Sequence, residues 1–289
     1  MLWIGGFSIL KRAPVNKIIP FSNVDGPGNR TAVFFQGCPF NCLFCHNPET
    51  IHLCSSCGEC ISGCPVGALK KNDEGRVEWN KSICVQCDAC IKKCRHNASP
   101  KVSWMSVDEL MAKISRSLSY ITGITTSGGE CTLHAGFLTD FFTEVKKTGK
   151  TCLIDSNGSY DFEKDPALTA MCDGVMLDVK AVEPEWNEKL ISHPADMVLK
   201  NLDHLLEVGK LFEVRTVIFP DRDKENAETV RYVAQHIGDK CPYKIIRYRP
   251  FGVREQYLKT LGGEETGLSY AQRFVDLARE AGALNAYVI

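Results

Sequence analysis

The sequence predicts an α/β chain on a parallel sheet, open or barrel-like, with a cysteine-rich segment set into its N-terminal third. Two observations carry this. From residue 101 onward, short β-rich apolar runs alternate with helical stretches, and with one earlier strand they make six βα units. Eleven of the fifteen cysteines fall between Cys38 and Cys94, mostly in runs with two or three residues between them. Three zones follow: 17–50 with the first strand and a cysteine loop, 51–100 as a cysteine-rich insert, and 101–289 as the rest of the sheet.

Taken in order, residues 1–16 read as an extra strand or a loosely held tail. Their apolar start is short, and Lys11 and Arg12 follow it instead of preceding it, so an export signal is not expected. The first strand of the sheet is expected at 31–36. Ser106 followed by Glu109 has the spacing of a capping box, which starts a helix running to about 119. Further strands are expected at 121–126, 151–154, 174–179, 212–219 and 243–247. Helices are expected near 137–148, 161–171, 195–208, 224–237 and 268–281.

Composition narrows the function classes. A net charge of −1 gives no basic surplus for nucleic acid or an anionic membrane surface. No apolar run approaches the roughly 20 residues of a membrane span. Clustered cysteines in a chain this long indicate metal sites in a reducing compartment, the cytoplasm, and not disulfides. Cys131, Cys152, Cys172 and Cys241 are scattered and default to small buried residues.

Cys38-Pro-Phe-Asn-Cys42-Leu-Phe-Cys45 directly follows the first strand. Cysteine thiolates hold Fe–S clusters, and a cubane normally takes four. Three ligands leave one iron open. The competing reading is a Cys₃His zinc site completed by His46. Adjacent Cys45 and His46 cannot easily both face one metal. The spacing, with Phe44 before the last cysteine, resembles the radical SAM signature. That resemblance implies S-adenosylmethionine (SAM) on the open iron, its reductive cleavage, and a 5′-deoxyadenosyl radical that abstracts hydrogen from a substrate.

Cys54, Cys57, Cys60 and Cys64-Pro65 form one run, and Cys84, Cys87, Cys90 and Cys94 repeat its spacing. This is the bacterial two-cluster ferredoxin pattern, in which the fourth cysteine of each run serves the other cluster. The assignment is therefore Cys54, Cys57, Cys60 and Cys94 to one [4Fe–4S] cluster, and Cys64, Cys84, Cys87 and Cys90 to a second. Such clusters either relay electrons or hold a small fold together.

Each remaining motif is weak alone. Ser127-Gly-Gly-Glu130 allows a backbone to approach a ligand closely. Asp155-Ser-Asn-Gly158 is by itself an Asn-Gly turn. Leu177-Asp-Val-Lys180 is either a salt-bridged rim or a pair facing a cation and a carboxylate. Arg215 is either a core ion-pair partner or a SAM contact. All but Arg215 fall at the carboxyl ends of predicted strands, where barrels carry their chemistry.

With these motifs, Val24-Asp-Gly-Pro-Gly-Asn-Arg30, Phe34-Phe-Gln-Gly-Cys38 and Cys45-His-Asn47, the chain resembles the glycyl radical enzyme activating enzymes, specifically YjjW-type activases with a ferredoxin insert. The resemblance implies a partial (β/α)6 TIM-like barrel carrying an inserted 2[4Fe–4S] ferredoxin-like domain. It implies an anaerobic oxidoreductase that takes a hydrogen from a backbone glycine of a partner enzyme, with a flavodoxin- or ferredoxin-type electron donor. SAM contacts fall at Phe44, Cys45, His46, Gly129, Asp178, Val179 and Lys180. A monovalent cation falls among Asp155, Ser156, Met176 and Asp178. The Asp25-Gly-Pro-Gly28 turn either presents backbone groups to an incoming partner loop, with Asp25 and Arg30 fixing its orientation, or is a rigid turn that only starts the barrel. In the pyruvate formate-lyase activases a His occupies the place of Arg249. The rival readings are a radical SAM enzyme for a small molecule, a maturase with ferredoxin clusters, and a plain electron carrier. The 25–30 segment argues against the first two, and the open iron with six βα units against the last.

Overall fold

The computed structural model describes residues 11–289. The chain lays down β1 (Ala13–Ser22) and β2 (Arg30–Phe35). The cysteine-rich insert follows, with β3 (Leu69–Lys71), β4 (Val77–Trp79) and α1 (Ala89–Lys93). Next come β5 (Ser103–Met105), α2 (Val107–Ile114), β6 (Gly123–Gly128), α3 (Ala135–Lys146), β7 (Thr151–Ser156), α4 (Pro166–Met171) and β8 (Gly174–Asp178). The chain ends with α5 (Pro184–Ile191), α6 (Asp196–Glu207), β9 (Leu211–Ile218), α7 (Asp223–Ile237), β10 (Tyr243–Arg247), α8 (Glu255–Leu261), α9 (Leu268–Glu280) and β11 (Ala286–Val288).

These strands form a nine-stranded sheet in the order β11-β10-β9-β8-β7-β6-β2-β1-β5. From β2 through β11 all neighbours are parallel. Only β1 runs antiparallel, to β2 on one side and β5 on the other. All six predicted strands are present. The sheet begins at Ala13, inside the segment read as strand or tail, while residues 1–10 lie outside the described residues.

Local chemistry explains where elements start and stop. The Ser106–Glu109 capping box forms in both directions. Its helix stops at Ile114, short of the expected end, because Ser117 Oγ bonds back to the Ile114 carbonyl and meets Thr31 Oγ1. The helix expected at 161–171 is split. Asp165 caps a new start with Pro166 in its first turn, after a separate 3₁₀ turn at Phe162–Lys164.

The helices bury one face each against the sheet. In α3, Leu138, Phe141, Phe142 and Val145 are fully buried at the spacing of one helical stripe. Each such side chain contributes about 1.5–3 kcal/mol of burial.

The opposite face of the sheet carries buried charge. Arg215 donates to Asp155 Oδ1 at 2.9 Å and to Glu213 Oε1 at 2.7 Å. Lys244 and the Tyr287 hydroxyl complete Glu213. At the amino end of β2, the Arg30 guanidinium donates to Thr125 Oγ1, the Ile124 carbonyl and Thr151.

The insert has its own small core of Cys60, Leu69 and Cys90 with Val77, Trp79 and Ile91 against it. Its halves repeat in backbone as well as sequence. Positive φ occurs at Ser56, Gly58 and Gly67 in the first half, and at Gln86, Asp88 and Asn97 at the equivalent places in the second. Two left-handed glycines of the first half are thus replaced by Asp and Asn, the residues that tolerate that region best.

Candidate active site at the carboxyl ends of the strands

β2 ends at Phe35, and Gly37 turns the chain into the cysteine loop with φ 106°. Backbone bonds pin that loop on two sides. Gly37 and Cys38 donate to the carbonyls of Thr50 and Ile51. Asn41 and Leu43 donate to Ile191 and Leu190 at the end of α5. The Arg254 guanidinium, arriving from just before α8, donates to Asn41 Oδ1 at 2.7 Å and to the Cys42 carbonyl at 2.8 Å.

One open cavity of about 250 Å³ gathers these parts. Cys38, Cys42 and Cys45 line it with Gly129, Asp155, Asp178 and Lys180, and Val217 and Ile246 reach it from β9 and β10. The ends of six parallel strands therefore meet one cavity, which requires the sheet to curl.

Burial pushes the thiols up: Cys38 to about 12, helped by Glu130 and Cys42, and Cys42 to about 11, against the pull of Lys180. Burial raises Cys45 as well. Asn157 Nδ2 donates to Cys38 Sγ at 3.4 Å. Lys180 donates to Asp178 Oδ2 at 2.8 Å, and its ammonium lies 5.3 Å from the centre of the Phe44 ring. Burial alone would lower the Lys180 pKa, but Asp178 and the thiols of Cys42 and Cys38 raise it overall, so Lys180 is charged.

Of the expected SAM contacts, Phe44, Cys45, His46, Gly129, Asp178 and Lys180 line this cavity. Val179 does not. It is fully buried, and its backbone is used by Arg215 and Thr216. Gly129 is fixed by space: an added Cβ would stand 2.2 Å from the Gly37 carbonyl oxygen. His46 Nε2 is 3.0 Å from the Arg249 carbonyl oxygen, which argues against His46 as a fourth metal ligand. The Arg249 side chain turns to Glu265.

Two expectations meet a different arrangement. Asp155, Ser156, Met176 and Asp178 are neighbours on β7 and β8, but each already has a protein partner. Arg215 takes Asp155 and the Met176 sulfur, Ser156 donates to Glu130, and Lys180 takes Asp178. Arg30 is 1% exposed and bound to strands β6 and β7, so it braces the floor of the sheet instead of facing a peptide. Asp25 differs: its carbonyl accepts from Thr125 and its carboxylate from Ser22, and it is only half-buried.

Sequence reasoning missed three contributors. Glu130 ends the glycine turn in sequence, yet its buried carboxylate accepts from Thr132, Ser156 and the Asn157 backbone. Asn157 and Arg254 were not singled out. The Glu183-Pro184 pair that starts α5 was a readable signal, with Glu183 capping Trp186.

In the insert, Cys54, Cys57, Cys60 and Cys94 line one small cavity. Cys64, Cys84, Cys87 and Cys90 line another. Among the described residues, no helix is long and apolar enough to cross a membrane.

The chain matches the radical SAM superfamily model over residues 32–233, well over half its length. It is 30% identical to a Haemophilus influenzae protein named as a glycyl-radical enzyme activating enzyme, over 95% of this chain and 92% of that one. It is 30% identical to the indoleacetate decarboxylase activating enzyme of Tractidigestivibacter scatoligenes, over 83% of each chain. A radical SAM methyltransferase from Sphaerobacter thermophilus shares the fold at a TM-score of 0.50 and 12% identity, over 96% of this chain and 76% of that one. Fold, cysteine loop and relatives agree: the chain belongs to the radical SAM superfamily and, within it, to the glycyl-radical enzyme activating enzymes.

Proposed function

We propose that this protein activates a glycyl radical enzyme by removing a hydrogen from a backbone glycine of that partner, and that it is a YjjW-type activase with a two-cluster ferredoxin insert. The observation that carries the reading is the convergence of three half-buried thiols, and no fourth among the residues lining the cavity, at the mouth of the curled sheet. The donor set fits a cubane with one open iron: an N–H is aimed at Cys38 Sγ, and the charged Lys180 lies in the same cavity. When bound, the cluster and SAM supply a one-electron cleavage that yields 5′-deoxyadenosine and methionine and takes the glycine hydrogen.

The chain's own residues do the placing. Asn157 and Arg254 hold the cysteine loop. Gly129 presents backbone to the methionyl end of SAM, with Lys180 and Asp178 facing its carboxylate and amino groups. Phe44, Cys45 and His46 would line the adenosyl side, and Val179, buried outside the cavity, drops out of the contact set. In this reading the Arg215 guanidinium supplies the positive charge that the resemblance assigns to a monovalent cation. The two four-thiol cavities of the insert hold one [4Fe–4S] cluster each, and a flavodoxin- or ferredoxin-type protein delivers the electron.

The test is reconstitution of the full chain with iron, sulfide, SAM, a reductant and the glycyl radical enzyme encoded beside it. The expected result is about twelve irons per chain, from three cubanes, with 5′-deoxyadenosine and a glycyl radical EPR signal on the partner. Cleavage of SAM without any radical on a glycine would refute the activase reading.

Asp25 remains the partner-facing residue of the 25–30 turn, since Arg30 is committed to the floor. Asp25→Ala is expected to leave iron content and uncoupled SAM cleavage near normal and to lower glycyl radical yield at least tenfold. Equal loss of both activities would show a folding role instead.

A further inference from the structure

The two thiol cavities of the insert are alike in ligand spacing but not in electrostatics. The cavity of Cys64, Cys84, Cys87 and Cys90 is also lined by Lys101. That side chain is only 10% exposed, and its ammonium is held by Asp88 Oδ1 and Gln86 Oε1, the residues on either side of Cys87. The other cavity has no equivalent. Its lining Arg95 and His96 are both exposed, and Arg95, at 73% exposure, is spent on Glu59. Lys71, whose stem passes Gly58, is exposed on the surface of β3.

Exposed charges are screened by water and salt, while a buried ammonium is screened far less. Asp88 offsets part of the Lys101 charge, but its carboxylate is about half exposed and Lys101 is not.

Backbone donors add to the difference. The Ala68 N–H donates to Cys64 Sγ at 3.2 Å. The Ser56 N–H gives Cys54 a longer bond of 3.4 Å. Net charge and hydrogen bonds to sulfur set Fe–S potentials, and both make an added electron more favourable where they are more positive.

We propose that Lys101 makes the Cys64/Cys84/Cys87/Cys90 site the higher-potential member of the insert, the one that takes up and keeps a single electron from the external one-electron donor. This rests on the reading of both cavities as [4Fe–4S] sites. The couple concerned is one electron on [4Fe–4S]²⁺ giving [4Fe–4S]¹⁺, with no bond made or broken.

The experiment is an EPR-monitored redox titration of the reconstituted full chain in a Cys42→Ala background, which removes the barrel signal. Two separate waves are expected. In Lys101→Met the higher wave should fall by at least a tenfold change in its equilibrium constant, about 59 mV for one electron, while the lower wave stays. Lys101→Arg should restore it, and Lys71→Met should move neither. Coincident waves in the parent, unmoved waves in Lys101→Met, or a shift of the lower wave would each overturn the proposal. Iron content tells the two levels apart. A background chain without about eight irons refutes the two-site reading itself, and the Lys101 role with it. A chain with them and no shift refutes only the role of Lys101.

Discussion

Cys42→Ala is expected to abolish SAM cleavage while leaving the insert's iron in place. The thiol sits in the middle of the cysteine loop, and its own carbonyl is held by Arg254. Backbone bonds on both sides hold the loop in place whatever the side chain. Removing one of three converging thiols therefore removes the ligand set and not the scaffold. The reading predicts no detectable 5′-deoxyadenosine, a drop of about four irons per chain, and an unchanged signal from the insert. Cys38→Ala and Cys45→Ala should behave alike. SAM cleavage surviving all three changes would sink the assignment of this loop as the catalytic centre.

The second large effect is expected at Glu130. Its carboxylate is fully buried and accepts from Thr132 N, Thr132 Oγ1, Ser156 Oγ and Asn157 N. Glu130→Ala leaves those donors buried without an acceptor, at about 1–3 kcal/mol each where no water enters. Partial relaxation brings the expected total to about 3–5 kcal/mol, or on the order of 10 °C in Tm for a chain of this size. The loss also frees Asn157, whose amide donates to Cys38 Sγ. Glu130→Ala should therefore weaken cluster retention as well as stability.

Glu130→Gln is the informative companion. Burial raises the Glu130 pKa, and the four donors only partly oppose it. A carboxyl raised on folding favours the fold fully below its unfolded pKa, and that contribution is lost as pH rises through the folded pKa. The neutral Gln should abolish this pH dependence and cost less than Ala at pH 8. A Gln variant no better than Ala, by thermal melts across pH 5–8, would show that the charge itself holds the turn.

The alternation of strands and helices was legible because each strand of the parallel sheet is a short apolar run, and each helix repeats its buried face every three or four residues. The Tyr243–Arg247 strand matches its expected bounds. The Ser106 start was legible because a capping box is local chemistry. Less legible were β1 and β5, whose pairing depends on residues some ninety positions apart. Arg254 was invisible for the same reason: it grips Asn41 across 213 residues, and nothing in its neighbourhood hints at it. Arg30 was misread because a charged residue beside a Gly-Pro-Gly turn suggests a surface, whereas the threonines and carbonyls that bury it come from other strands. The cysteine loop stood out because its ligand spacing is short-range. What positions it comes from α5 and the segment before α8.

The insert's halves are interleaved. Cys94 closes the cavity of the first half, and Cys64 that of the second. A chain that lost residues 84–94 would not keep one good site. It would keep three thiols facing an open gap, while Cys64 would face nothing. The same holds for loss of residues 54–64. Neither half alone keeps a complete set of four thiols. The small departures between its halves, such as Asp88 where the first half has Gly58, are where two cavities of repeated spacing come to differ.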